Sequence, residues 1–159
     1  MRTLVLLGAL GLAACGTRAA SPGAGATPTY QPHTRAVTIT TVPLLVKELA
    51  KTYPFLAKDF AKGGVLEGKE VYAFSPSTIT AVAGDTLKLS LINPEDDDHS
   101  FVLHDLFVKI PPQGRIDTTY VVKAPGIYDF VCSVPSHLPM MHGELVVLAP
   151  SAVAGGAAR

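Results

Sequence analysis

The run Cys132-Ser133-Val134-Pro135-Ser136-His137-Leu138-Pro139-Met140-Met141 places a thiol, an imidazole and two thioethers within ten residues. Thiolate and thioether are soft donors and imidazole is intermediate, a combination that suits copper better than other first-row metals. An upstream histidine, His99 or His104, would complete a set of four protein donors. Four protein ligands leave no open position for a substrate. The chemistry to expect is therefore electron transfer at a metal and not turnover of a bound molecule.

These donors need rigid elements to hold them, and the sequence supplies short strands. From Lys69 onward, β-prone runs alternate with Gly, Pro and Asp turns. The runs are Val71–Phe74, Thr78–Val82, Leu87–Ile92, His99–Leu103, Phe107–Ile110, Ile116–Val122, Ile127–Cys132 and Gly143–Leu148. The breaks include Ala83-Gly84-Asp85, Pro111-Pro112-Gln113-Gly114 and Ala124-Pro125-Gly126. Strands at this spacing predict an all-β sandwich or barrel. Another β-prone run covers Val37–Thr41. Between Pro43 and Lys62 the apolar residues Leu45, Leu49, Tyr53, Leu56 and Phe60 recur at helical spacing, with Lys47, Lys51, Lys58 and Lys62 on other sides. Pro43 suits a first helical position, Pro54 should split the segment in two, and Gly63-Gly64 should end it.

Strand alternation sorts the candidate ligands, because successive side chains point to opposite faces. Tyr128, Phe130 and Cys132 share one face and Asp129 takes the other, so Cys132 lies at the inner end of its strand. His99 shares a face with Phe101 and Leu103 and points inward, whereas His104 falls with Val102 and reads as a surface residue. Solvent-facing Glu144 sets Leu145 and Val147 inward, and the same parity extends back to Met141. Met140 then falls on the exposed rim, and His142 with it. His137 sits in the loop after Cys132, with its ring edge expected near solvent among Leu138, Pro139 and Met140.

The first residues carry an early Arg2, a short apolar stretch and small residues, which is the pattern of an export signal. That stretch is shorter than the roughly 20 apolar residues a membrane span needs. Leu12-Ala13-Ala14-Cys15 resembles a bacterial lipobox, in which the cysteine becomes lipidated after cleavage. Residues 1–14 are thus expected to be removed and 15–36, rich in Ala, Gly, Pro, Ser and Thr, to form a flexible tether. Residues 37–150 would be the folded domain, with 37–64 including the helical extension, and 151–159 a disordered tail. With Cys15 lipidated, Cys132 has no disulfide partner in an oxidising compartment, where a bound metal would protect it. The chain has 13 basic and 13 acidic residues, and losing Arg2 leaves a net charge of −1. Nothing in that balance points to nucleic acid.

The metal-loop residues, together with Phe74-Ser75-Pro76, Ala83-Gly84-Asp85-Thr86 and Asn93…His99-Ser100-Phe101, resemble the cupredoxins over Lys69–Leu148. Cys132 to His137 to Met141-His142-Gly143-Glu144-Leu145 is similar to the copper loop of the azurin and auracyanin branch. The resemblance implies an eight-stranded cupredoxin-like Greek-key β-sandwich holding one copper ion. It implies His99, Cys132 and His137 as equatorial ligands and Met141 as a weak axial one. The helical segment 43–62 has no counterpart in a minimal cupredoxin. His99-Ser100-Phe101-Val102 and Pro111–Arg115 also resemble cytochrome oxidase subunit II, but a binuclear centre needs a second loop cysteine, and Ser136 stands there instead.

The function implied is a mononuclear type 1 (blue) copper electron carrier, not an enzyme. It would be monomeric and lipid-anchored on the outer side of the cytoplasmic membrane, on the periplasmic or extracellular face of the bacterial envelope. Its partners would be c-type cytochromes or a terminal oxidase or reductase, docking at Leu138, Pro139 and Met140. The acidic run Glu95–Asp98 is a solvated turn or a steering patch for a cationic partner. Copper binding and delivery is the rival class, kept open by Met140, His142 and His104. A non-catalytic accessory subunit of an oxidase or reductase is another.

Overall fold

The computed structural model describes residues 29–150. The signal, lipobox, Cys15 and tail lie outside them. Nine strands form two sheets: β1 (Thr34–Leu45), β2 (Val71–Ser75), β3 (Thr78–Val82), β4 (Thr86–Asn93), β5 (His99–Leu103), β6 (Leu106–Ile110), β7 (Gly114–Val121), β8 (Gly126–Val131) and β9 (His142–Leu148). One sheet has the order β2-β1-β4-β7 and the other β3-β9-β8-β5-β6. The pairs β1–β4 and β3–β9 are parallel and the remaining pairs are antiparallel. This is the cupredoxin-like sandwich, with one strand more than the eight expected.

The core follows from alternation. In β4, Leu87, Leu89 and Leu91 are buried while Lys88 is exposed. In β9 the alternation runs from buried Met141 through Gly143, Leu145 and Val147, with His142, Glu144 and Leu148 outside. Three rings, Phe74, Phe101 and Phe130, close the core beside the metal loop with centroids 5.0–5.7 Å apart. Gly143 is required there, because a Cβ at this position would collide with the Phe130 ring and the Ser77 carbonyl. The absence of a Cβ thus leaves room for the Phe130 ring against β9.

Two boundaries differ from the sequence reading. The folded domain begins before residue 37: β1 starts at Thr34, and the Tyr30 hydroxyl and the His33 N–H both bond the buried Asp85 carboxylate. Pairing with the fully patterned β4 pulls the polar Thr34–Ala36 into register with Thr86–Lys88. Pro43 is not a first helical residue either. It lies within β1, just before a register shift against β2 that spans Pro43 and Leu45, where its missing N–H is tolerated. The helical stretch is shorter than its apolar spacing suggested. It consists of α1 (Leu49–Thr52), a 3₁₀ turn (Pro54–Leu56) and α2 (Ala57–Phe60), split at Pro54 as expected. Leu56 is buried but Tyr53 is exposed, so the periodic apolar residues do not share one buried face.

Candidate metal centre

β5 and β8 deliver the first two donors. The β5–β8 ladder ends at Val102↔Val131, so Cys132 lies one residue past the strand. Its N–H donates to the Met141 carbonyl at 2.9 Å, which ties the two ends of the metal loop together. The Met141 N–H and the Met140 N–H both return to the His137 carbonyl, at 3.1 and 3.0 Å. A tight turn thus carries His137, and its closure sets Cys132, His137 and Met141 on one wall of the core. β5 supplies His99 at its first residue, as the strand enters the sandwich.

His99, Cys132 and His137 are all buried, and their donor atoms lie within 4.8 Å of one another. Nδ1 of His99 is 4.0 Å and Nδ1 of His137 is 3.6 Å from the Cys132 sulfur. Met141 is fully buried, whereas Met140 is 49% exposed. His104 is exposed, bonded to Asp105, and adopts a positive φ of 52° in the turn after β5. His142 is exposed as well. Burial thus follows the strand parity: His99 and Met141 are inside, and His104 and Met140 are outside. The expectation for the His137 ring differs: the residue is only 2% exposed, because Tyr72 packs against it with ring centroids 4.7 Å apart. Leu138, Pro139 and Met140 are exposed beside it.

The surroundings favour neutral imidazoles and set hydrogen-bond donors at the sulfur. Burial, reinforced by the His137 ring, pushes His99 down to about 4, against the opposing pull of Asp97 and Asp98. Burial also lowers His137, with Asp97 and Glu70 opposing. Both rings are then unprotonated at neutral pH and free to ligate. The Ser100 N–H, left beyond the end of the β8 ladder, points at the Cys132 sulfur at 3.4 Å. The Ser100 hydroxyl lies 3.8 Å from the same sulfur and also accepts from the Ser133 N–H at 2.8 Å. Such donors hold the sulfur in place and would support it as a metal ligand. Nε2 of His99 is buried with no hydrogen-bond partner among the described residues. Soft sulfur donors, two neutral imidazoles and a dry aromatic wall fit a bound copper ion.

Sequence reasoning did not find Tyr72. Its ring lies 4.6 Å from His99 and 4.7 Å from His137, and its hydroxyl donates to the Asp97 carboxylate. The signal was its parity with Phe74 in β2, which identifies a core residue but not what it touches. Asp97 was read as part of a solvated or steering run. It instead faces the site, and Asp98 pairs with Lys109 at 3.3 Å.

The family model of the cupredoxin-like domain matches residues 65–147. No curated protein matches the sequence. Among solved structures, a copper nitrite reductase from Nitrosomonas europaea is similar with 22% identity and a TM-score of 0.54, covering 75% of this chain and 43% of that one. A multi-copper oxidase from Pseudomonas thermotolerans shares 13% identity with a TM-score of 0.53, covering 76% and 31%. Auracyanin A, a blue copper protein from Chloroflexus aurantiacus, shares 17% identity with a TM-score of 0.48, covering 72% and 99%. The chain spans less than half the length of the nitrite reductase and of the oxidase. The likenesses to the nitrite reductase and the oxidase describe the fold.

Proposed function

The chain belongs to the cupredoxin family, and on that premise we propose that it is a mononuclear blue-copper electron carrier. His99, Cys132, His137 and Met141 would hold one copper ion, which when bound supplies a one-electron couple. The observation that carries this reading is the convergence of three buried donors within 4.8 Å, with buried Met141 on the same loop.

The protein's own residues account for the rest. Cys132 gives up its thiol proton on binding, and the Ser100 N–H at 3.4 Å stabilises the charge left on sulfur. The loop closure from Cys132 to Met141 and from His137 to Met141 fixes the donor positions before any metal arrives. Little rearrangement is then needed when the charge of the centre changes. Phe74, Phe101 and Phe130 lie with Cys132 in one buried apolar cluster. Exposed Leu138, Pro139 and Met140 offer an apolar patch beside His137 for a partner such as a c-type cytochrome or a terminal oxidase or reductase. A lipid on Cys15 would hold the domain outside the cytoplasmic membrane, within reach of such partners.

Copper delivery is the second reading, favoured by exposed Met140 and His142 beside the site. One titration separates the two. Adding Cu(II) should give an intense blue thiolate charge-transfer band that ascorbate bleaches and an oxidant restores. A colourless protein, or copper that passes quickly to a weak chelator, would sink the carrier reading. Turnover with candidate cytochromes and oxidases then identifies the partner.

A further inference from the structure

The chain between β1 and β2 is fastened to the outside of the metal loop. The Lys69 ammonium donates to the Pro135 carbonyl at 3.3 Å and to the Leu138 carbonyl at 3.2 Å. The next residue, Glu70, donates its N–H to the Ser136 carbonyl at 3.1 Å. Two successive residues thus grip three carbonyls on either side of His137.

The Glu70 side chain is held in turn. One carboxylate oxygen accepts from the Lys47 N–H at 3.3 Å and lies 3.7 Å from the Lys47 ammonium. The Glu70 carboxylate, the Asp97 carboxylate and a ring nitrogen of His137 lie within 4.8 Å of one another. Asp97 is already engaged by the Tyr72 hydroxyl, and its backbone carbonyl by the Asn93 amide at 2.7 Å. Glu70 therefore brings to His137 a carboxylate whose place is set from the extension and not from the strands that carry the ligands. It lies near the ring with no hydrogen bond to it among the described residues, so it acts on the centre through its charge. In a poorly hydrated site that charge favours whichever state of the centre is more positive.

We propose that the Glu70 carboxylate, held beside His137 by the extension, lowers the reduction potential of the copper centre. The inference rests on the blue-copper reading above. It gives the segment 46–70 a role: the segment places Glu70 and its counter-ion Lys47 at the site.

The test compares two variants of the copper-loaded protein by voltammetry, with the charge-transfer band as a check on copper binding. Glu70→Gln keeps the shape and removes the charge, so the potential should rise. Lys47→Met removes the partly neutralising cation, so the potential should fall. A role confined to packing gives no reason for shifts of opposite sign. An intact band with an unmoved potential in Glu70→Gln overturns the inference alone, as do shifts of the same sign in the two variants. Where Glu70→Gln fails to fold, Lys47→Met decides, because its side chain is 60% exposed; a rise or no change there overturns the inference. No band in the wild-type protein overturns the blue-copper reading, and this inference with it.

Discussion

At one end of the five-stranded sheet, near the Val82↔Leu148 pair, the Asp85 carboxylate is fully buried. At the other end, just past Val131↔His142, His99, Cys132 and His137 are buried together. Asp85 accepts from the His33 N–H at 2.9 Å, the Val82 N–H at 3.1 Å and the Tyr30 hydroxyl, with the Arg35 guanidinium 4.0 Å away. Burial alone would raise its carboxyl, but those donors outweigh burial and hold it below the usual carboxylate range. At the histidine cluster burial is instead the leading cause at both rings and outweighs the pull of Asp97, Asp98 and Glu70, and Nε2 of His99 has no partner among the described residues. A buried polar group that serves the fold is satisfied by the fold. Where burial outweighs the neighbouring charges, the rings stay neutral and able to ligate. The difference between the two ends separates structural burial from a site.

Removing a key group at each end should expose that difference most fully. Cys132→Ser should abolish the charge-transfer band completely, read by visible spectroscopy during a Cu(II) titration. The metal-free variant should unfold in urea within about 1 kcal/mol of the parent, since a buried thiol and a hydroxyl are close in size and Ser100 can bond either. Asp85→Ala should do the reverse. It strands two backbone donors and a tyrosine hydroxyl, each costing on the order of 1 kcal/mol or more when buried unpaired, so stability should fall by about 3 kcal/mol. The blue band should persist. Loss of colour in Asp85→Ala, or a large loss of stability in metal-free Cys132→Ser, would erase the distinction.

The pH dependence of the metal-free protein sharpens the same contrast. Unfolded His99 takes up a proton near its ordinary value of 6.5, whereas the folded residue resists until about pH 4. Between those values the unfolded chain binds more protons, so stability should fall as the pH drops, by up to about 1.4 kcal/mol per pH unit. Above pH 6.5 this contribution is flat. Asp85 acts with the same sign further into acid: its stabilisation is present above the unfolded carboxylate range and is lost as the pH falls through its lowered folded value. Urea midpoints between pH 3 and 8 check both. Copper should flatten the histidine window and leave the Asp85 window unchanged.

Much of the site could be read from the chain because alternation in a strand is local. One exposed residue, Glu144, fixes the inward side of β9 and carries that assignment back to Met141. Asp129 does the same for Cys132. What alternation cannot give is a contact made across the sandwich. Tyr72 meets His99 and His137 from β2, and Asp97 reaches Tyr72 from a loop 25 residues on. Neither spacing marks a partner. The start of β1 was hidden for a related reason: Tyr30 and His33 are tied down by Asp85, more than 50 residues away, and not by any apolar pattern of their own. The helical segment misled because Leu45 and Tyr53 keep helical spacing although Leu45 belongs to a strand and Pro54 breaks the backbone.

The smallest expected effect tests the metal loop at its finest grain, where two adjacent methionines have opposite environments. Met141 is fully buried against the core and Met140 is 49% exposed. Leucine fills nearly the same volume as methionine, so Met141→Leu should cost less than about 1.5 kcal/mol of stability, and Met140→Leu still less. The potentials should separate the two more clearly than the stabilities do. Met141→Leu removes the only thioether on the inner wall of the loop and should shift the potential of the copper-loaded protein. Met140→Leu keeps an apolar group on the rim and should leave it nearly in place. Equal shifts would mean that the turn through Pro139 exchanges the two side chains at the metal. In that case the closure by the His137 carbonyl, which holds both backbone amides at 3.0–3.1 Å, fixes the loop's path without fixing which thioether enters the core.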